Sequence, residues 1–209
     1  MKSKTIRAGL VAVLAAVLAA CGGGAGAPAP APSAAPVSAH NEADVTFAQG
    51  MIPHHQQAVE MAGLASSRAA NDKVKQLAAG IGRAQAPEIE QMQGFLKAWG
   101  VQAAASTAAP MAPSTSMPMG GMDHGSMPSM GGTHGMMSDA QMAELEKASG
   151  AAFDRAFLQM MIDHHNGAVQ MAGTEVKDGQ SGDAKALAQK IIDAQKAEIA
   201  EMTTMLAEG

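Results

Sequence analysis

Two stretches of the sequence determine how its fold is interpreted: MIPHHQQAVEMA at residues 51–62 and MIDHHNGAVQMA at residues 161–172. Each position of the second stretch lies 110 residues after its counterpart, and the same offset extends to flanking residues. The pairs are identical at Asp44/Asp154, Phe47/Phe157, Met51/Met161, Ile52/Ile162, His54/His164, His55/His165, Ala58/Ala168, Val59/Val169, Met61/Met171, Ala62/Ala172, Ile81/Ile191, Gln85/Gln195, Glu88/Glu198, Ile89/Ile199 and Met92/Met202. Identities at one offset without a gap indicate that the chain is an internal duplication.

Each copy carries apolar residues at helical spacing in two segments, which predicts two helices per copy. The predicted helices cover residues 42–66 and 72–98 in the first copy, and 152–176 and 183–206 in the second. Neither hairpin can bury its apolar stripe alone, so the two hairpins are expected to pack together. The fold prediction is therefore all-α, a four-helix bundle built from two duplicated helical hairpins.

Several residues predict where these helices begin or bend. Asn71 and Ser181 are expected to cap the second helix of each hairpin. Ser138 predicts a capping box for a shorter helix over residues 139–148. Pro87 lies inside the second predicted helix, which we expect it either to kink or to restart.

The composition excludes several protein classes. Aromatic residues make up 2% of the 209 residues, Tyr is absent and Met occurs 18 times, so a β-sandwich or barrel is disfavoured. A formal net charge of −5 argues against a nucleic-acid-binding protein, which needs a basic face. Cys21 is the only cysteine, which excludes an intramolecular disulfide and metal sites of the Cys-x-x-Cys kind.

The N-terminus has the pattern of an export signal. Lys2, Lys4 and Arg7 precede an apolar run over residues 8–20 that is too short to span a bilayer. The end of this run, Leu-Ala-Ala-Cys at residues 18–21, resembles the bacterial lipoprotein box, in which the cysteine is lipidated. The alternative is an ordinary signal peptide with an incidental cysteine. We expect an exported protein of the bacterial cell envelope, lipid-anchored to a membrane through Cys21 and facing the periplasm.

The histidine pairs lie on the face of the first helix of each copy that is expected to be buried. On a wheel of 100° per residue, both histidines and both methionines of a copy share a stripe of about 120°. The second helix of each copy aims a glutamine, a glutamate and a methionine inward. The candidate metal ligands are Met51, His54, His55, Met61, Glu88 and Met92, with Met161, His164, His165, Met171, Glu198 and Met202 in the second copy. The alternative is that His54 and His164 bond to Glu88, Glu198 or the glutamines, and that the methionines fill the core.

The segment between the hairpins has an unusual composition. Residues 100–138 show no helical or strand period, yet they hold eight methionines and two histidines among Gly, Pro and Ser. The candidate ligands there are Met117, Met119, Met122, His124, Met127, Met130, His134, Met136 and Met137, and Met111 belongs to the same run. Thioethers favour Cu(I) and similarly Ag(I), while imidazole accepts both copper oxidation states. The predicted ligand is therefore copper as Cu(I), with Cu(II) and Ag(I) as alternatives.

The paired motifs at residues 51–62 and 157–165, with the Gln85, Glu88, Met92 and Trp99 pattern, resemble the family catalogued as domain of unknown function 305. The resemblance covers about residues 41–206. It implies a ferritin-like four-helix fold in exported bacterial proteins, some of them linked to copper binding and copper tolerance, and no established catalytic activity. One departure is Asp163, which stands where the first copy has Pro53, and another is the long methionine-rich linker.

The expected organisation has five parts: a signal peptide at 1–20, a lipid-anchored flexible tether at 21–40, the first hairpin at 41–99, the Met/His-rich linker at 100–138 and the second hairpin at 139–209. The main functional hypothesis is a periplasmic copper-binding lipoprotein that sequesters Cu(I) or delivers it to a transfer protein, without enzymatic activity. One alternative is a structural or adhesive envelope lipoprotein with core histidines. The other is a di-metal carboxylate oxidase, which is disfavoured because neither Glu88 nor Glu198 begins a Glu-x-x-His motif.

Overall fold

The computed structural model describes residues 39–102 and 134–208. Its helices are α1 (Glu42–Arg68), α2 (Asp72–Trp99), α3 (Asp139–Lys147), α4 (Gly150–Asp178) and α5 (Gly182–Glu208). The predicted helix boundaries are confirmed to within two residues. None of the helices in the described ranges is long and apolar enough to cross a membrane. The signal peptide, most of the tether and Cys21 lie outside the described residues.

The predicted caps are confirmed. The Asn71 side chain accepts a hydrogen bond from the Lys73 N–H at 2.9 Å at the start of α2. The Ser181 Oγ accepts one from the Ala184 N–H at 3.3 Å at the start of α5. Ser138 forms a complete capping box at the start of α3. These side chains satisfy backbone donors that have no partner within the helix.

Helix α2 continues through Pro87, so the expected restart of the helix there is wrong. A proline inside a helix leaves the carbonyl four residues earlier without its usual donor, which here is the carbonyl of Arg83. Both Pro87 and Arg83 are exposed, so water can hydrogen-bond to that carbonyl without any cost of burial.

The helices form the expected four-helix bundle with α3 added at its side. Helix α1 packs along α2, α4 packs along α5, and the two hairpins meet mainly through α1 and α4. Helix α3 contacts α1 and α4. The face of α1 that carries its histidine pair is therefore pressed against the equivalent face of α4.

The two copies also hold each other's turns. Asp44 on α1 accepts hydrogen bonds from the backbone N–H groups of residues 180 and 181 in the α4–α5 turn, at 3.1 and 2.8 Å. Asp154 on α4 accepts them from residues 70 and 71 in the α1–α2 turn, at 3.1 and 2.9 Å. Since these residues are related by the 110-residue offset, the duplication has become an approximate internal symmetry of the bundle.

Candidate metal centre

Two histidines from different copies meet at the centre of the bundle. The ring centroids of His54 on α1 and His164 on α4 lie 3.7 Å apart, with 42° between the ring planes. Both side chains are buried, 1% and 0% exposed. The sequence predicted that the stripe of each helix is buried, and the structure shows that the symmetry brings one histidine of each pair together.

Most nitrogens of this central histidine pair lack a hydrogen-bond partner. The Nε2–H of His54 donates to the backbone carbonyl oxygen of His134 at 2.9 Å, which leaves its Nδ1 as a free lone pair. Neither the Nδ1 of His54 nor either ring nitrogen of His164 has a partner among the described residues. Burial lowers the pKa of His54 to about 4 and that of His164 to about 2. Both imidazoles are therefore neutral at ordinary pH, which is the form that binds metals.

The second histidine of each pair has a different role. The His55 Nε2 lies 3.0 Å from the Glu88 Oε2, and the His165 Nε2 lies 2.7 Å from the Glu198 Oε2. The alternative considered for the sequence gave these glutamates to His54 and His164, and that pairing is wrong by one residue. A shift of one helical residue rotates a side chain by 100°, which aims His55 and His165 at the second helix of their own hairpin.

The two histidine–glutamate pairs are not equivalent. Lys190 on α5 places its Nζ 3.2 Å from the other carboxylate oxygen of Glu88, whereas its counterpart in the first copy is Gly80. Burial raises the pKa of Glu88, but the hydrogen bond from His55 and the charge of Lys190 outweigh burial and hold it below its usual range. The Glu88 side chain is 7% exposed and the Glu198 side chain 21%.

The candidate methionines of the helices divide between two apolar clusters. One cluster contains Met61, Met161 and Met202, and the other contains Met51 and Met92 with the half-buried Met171 at its edge. Each cluster therefore combines methionines from both copies, rather than those of a single hairpin. Met51, Met61, Met161 and Met171 lie on the helices that carry the histidines. Methionines also fill space in the apolar core.

The C-terminal end of the Met/His-rich linker crosses over the central histidine pair. We call residues 134–138 the strap. Gln57 holds it on α1 by accepting from the Met137 N–H at 2.7 Å and donating to the Met137 carbonyl at 2.8 Å. On α4, a Cβ at Gly167 would lie 1.8 Å from the His134 carbonyl oxygen, so only glycine lets the strap approach.

The structure describes three of the candidate ligands in the linker, His134, Met136 and Met137. His134 contributes its backbone carbonyl to the histidine pair while its side chain is exposed. Met137 is buried in the cluster of Met61, and Met136 is half-buried. The remaining linker candidates, Met117, Met119, Met122, His124, Met127 and Met130, lie outside the described residues.

Sequence reasoning missed Gln57 and Gly167 as functional positions. The signal was present, because the offset pairs Gln57 with Gly167 inside the most similar stretch of the repeat. The Gln57 side chain hydrogen-bonds to the strap on the α1 side, whereas the equivalent position on α4, Gly167, must lack a side chain. This difference between the two copies lies where they contact the strap in different ways.

Hard-ligand metal sites are not supported by the described part of the chain. Within residues 39–102 and 134–208, no three side chains of the His, Cys, Asp and Glu types are placed to hold a metal ion. A metal at the central histidine pair would therefore need other ligands, such as thioethers, and this donor set suits a soft ion.

The sequence of this chain matches a known protein family. The sequence model of the family described as "Domain of unknown function (DUF305)" matches residues 44–206. The chain belongs to the DUF305 family. No curated protein sequence matches this DUF305 chain.

Solved structures of two DUF305 proteins and of CopM share the fold. A DUF305 protein of Streptomyces coelicolor, inferred to be secreted, is 33% identical with a TM-score of 0.66, over 79% of this chain and 93% of its own. A DUF305 fragment from Deinococcus radiodurans is 28% identical with a TM-score of 0.64, over 81% and 98%. CopM in its Cu(II)-bound form is 30% identical with a TM-score of 0.61, over 79% and 96%, and CopM has also been solved in Cu(I)-bound and Ag-bound forms.

Proposed function

We propose that this DUF305 protein binds copper, as Cu(I), at the central pair formed by His54 and His164. The observation that carries the proposal is a pair of buried, neutral imidazoles 3.7 Å apart whose free ring nitrogens have no partner among the described residues. An unpaired buried polar atom costs about 1–3 kcal/mol, so two such rings need a compensating interaction. A bound soft cation supplies that interaction.

The surroundings favour a monovalent soft ion over a divalent hard one. Among the residues that the structure describes, no carboxylate is hydrogen-bonded to the central histidine pair, since Glu88 and Glu198 are bonded to His55 and His165. Met51 and Met161 are buried and each lies one helical turn before a histidine of the central pair, so neutral imidazoles with nearby thioethers match the preference of Cu(I) for neutral nitrogen and sulfur ligands.

The comparisons support the same chemistry. CopM covers most of this chain at 27–30% identity and has been solved with Cu(I) and with Cu(II) bound. Copper binding is thus a property of a structural neighbour in the same size range and fold. Our proposal extends it to this protein and places the ion at His54 and His164.

The cellular role proposed is the sequestration of Cu(I), or its delivery to a transfer protein, in the bacterial envelope. The likeness to the Streptomyces coelicolor protein favours export, and the sequence from Lys2 to Cys21 favours anchoring by a lipid. We further propose that the protein is not an enzyme. The two inward glutamates are separately hydrogen-bonded to His55 and His165 rather than combined in one di-metal site.

The test is a Cu(I) competition titration of the full-length protein in detergent against a chromophoric chelator, without oxygen. The double variant His54→Gln with His164→Gln should lose the tightest Cu(I) equivalent, with affinity at least tenfold weaker. The matched control, His55→Gln with His165→Gln, changes the neighbouring histidines and should keep that equivalent within about threefold. Circular dichroism checks that both variants are folded, and the single variant His164→Gln replaces the double if it is not.

Two results would contradict the assignment. If both double variants bind like the wild type, the central pair is a structural feature and copper lies elsewhere. If the control loses the tight equivalent and the test variant keeps it, the site belongs to His55 and His165. Linker binding is separated by deleting residues 103–133, because a longer deletion through Met137 would also remove the strap.

The specific observation that favours the structural alternative concerns His55 and His165. Each makes a short hydrogen bond to a glutamate of its own hairpin and ties the two helices together. For these two histidines the alternative interpretation as core hydrogen-bonding residues is the one we adopt.

A further inference from the structure

An open groove lies on one side of the internal symmetry of the bundle. A cavity of about 890 Å³ lies between α1, α4 and the strap. Its lining includes Gly50, His134, Met136, Met171 and Glu175. We call this cavity the α1–α4 groove.

Four positions that line the groove have apolar counterparts on the other side of the symmetry. Thr46, Gly50, Thr174 and Glu175 line the α1–α4 groove, and their counterparts at the 110-residue offset are Ala156, Met160, Leu64 and Ala65. All four counterparts pack in or against the apolar cluster of Met61. The groove is therefore a place where the duplicated sequence has changed from apolar filler to small or polar residues.

The same change exposes a thioether. Met61 is fully buried, whereas its counterpart Met171 is half-buried and lines the groove. The Met171 Sδ lies beside Gly50, where an added Cβ would be 3.7 Å from the sulfur, at ordinary van der Waals distance. The counterpart of Gly50 at the 110-residue offset is Met160, whose larger side chain packs against the apolar cluster of Met61.

The strap brings two further soft donors to the groove. Met136 and His134 line the same cavity as Met171, and His134 is exposed. Two thioethers and an imidazole are a ligand set that Cu(I) and Ag(I) prefer. Methionine has three rotatable side-chain bonds, so the sulfurs can adjust to a common ion. Nothing in the donor set would favour a hard divalent cation.

His134 connects the groove to the central histidine pair. His134 lines the groove, and its backbone carbonyl accepts the hydrogen bond from the Nε2–H of His54. We propose that the α1–α4 groove is a second soft-metal site, in which Met136, Met171 and His134 bind Cu(I) or Ag(I) at the entrance to the central histidine pair. This inference extends the proposed function, since it adds an entry site to the central one.

The test observes individual methionines during a silver nitrate titration. The full-length protein is labelled with [methyl-¹³C]methionine, kept in detergent in chloride-free buffer, and followed by NMR. The Met136→Leu and Met171→Leu variants assign the two signals, and leucine conserves the side-chain volume while removing sulfur. The Met136 and Met171 signals should shift together with one saturation curve, while the matched control Met61 does not move in that range.

The variants separate a shared site from independent contacts. In Met136→Leu the Met171 signal should lose its shift, and His134→Ala should weaken silver binding at the groove at least tenfold. A Met171 signal that still shifts with unchanged affinity in Met136→Leu would overturn the proposal, as would the absence of any shift in the wild type.

The outcome is distinguishable from that of the proposed function. In His54→Gln with His164→Gln, the groove signals should still respond to silver although the tight Cu(I) equivalent is lost. If the groove signals stay silent while the wild type keeps that tight equivalent, the entry site is wrong and the central site stands.

Discussion

A buried pair of carboxyl groups gives this protein a pH dependence that one substitution removes. Glu175 on α4 is 1% exposed and lies beside Asp44, which is fully buried. Burial, and then Asp44, raise the pKa of Glu175 from 4.5 to about 8. Asp44 stays ionised, because the backbone N–H groups of Asn41, Gln180 and Ser181 hold its pKa below the usual range against the effect of burial.

The sign and size of the effect follow from proton linkage. Since the folded pKa of Glu175 is raised above the unfolded one, the folded state binds more protons between pH 4.5 and 8. The contribution to stability is full below pH 4.5 and declines as the pH rises to about 8. The free energy of unfolding should fall by about 2–3 kcal/mol from pH 5 to pH 7, and by about 4 kcal/mol from pH 5 to pH 9.

The variant Glu175→Gln isolates this contribution. The glutamine amide keeps a donor next to Asp44 but cannot ionise. Urea unfolding at pH 5, 7 and 9 should therefore show the wild type losing stability relative to Glu175→Gln by the amounts above. The histidine pair contributes with the opposite sign, because the pKa values of His54 and His164 are lowered, but it is common to both proteins and cancels in the difference.

The control is Glu60→Gln, which removes an exposed glutamate from α1 and should run parallel to the wild type across the pH range. Parallel curves for Glu175→Gln and the wild type from pH 5 to pH 9 would refute the reasoning. They would mean that Glu175 ionises in the folded protein as readily as in the unfolded chain.

Three further outcomes test the packing. Gly167→Ala should displace the strap, since its Cβ would lie 1.8 Å from the His134 carbonyl, and faster amide hydrogen exchange within the strap would show it. Asp154→Ala should lower the free energy of unfolding, measured in urea, by about 2 kcal/mol because two N–H groups lose a charged acceptor. Asp44→Ala should lower it by more, because Asp44 is fully buried. A larger loss for Asp154→Ala than for Asp44→Ala would contradict this interpretation. Met61→Leu should change stability by less than about 1.5 kcal/mol in the same assay, because it conserves core volume, and a larger loss would show that the sulfur itself is needed there.

The helices were predictable because their determinants are local. Apolar spacing and the caps at Asn71, Ser138 and Ser181 act within a few residues or within one helix. The exception was Pro87, where the cost of a lost hydrogen bond depends on exposure. Exposure is set by how the helix sits on the bundle.

The burial of the histidines was predictable, but the neighbour that each histidine meets was not. Helical periodicity shows that His54 and His55 face inward, but it does not show which neighbour each one meets. Instead of bonding to Glu88 and Glu198, His54 and His164 meet each other across the symmetry, and the glutamates bond to His55 and His165.

The sequence by itself determined the duplication, the helix boundaries, the buried face of each helix and the soft character of the donor atoms. Only the tertiary structure decided that His54 meets His164, that Gln57 and Gly167 seat the strap over them, and that one half of the symmetry has an open groove. The physical reason is the separation along the chain of the residues that interact. Hydrogen bonds within a helix and side-chain chemistry are properties of neighbouring residues, whereas the pairing of side chains about 110 positions apart depends on the close packing of whole helices.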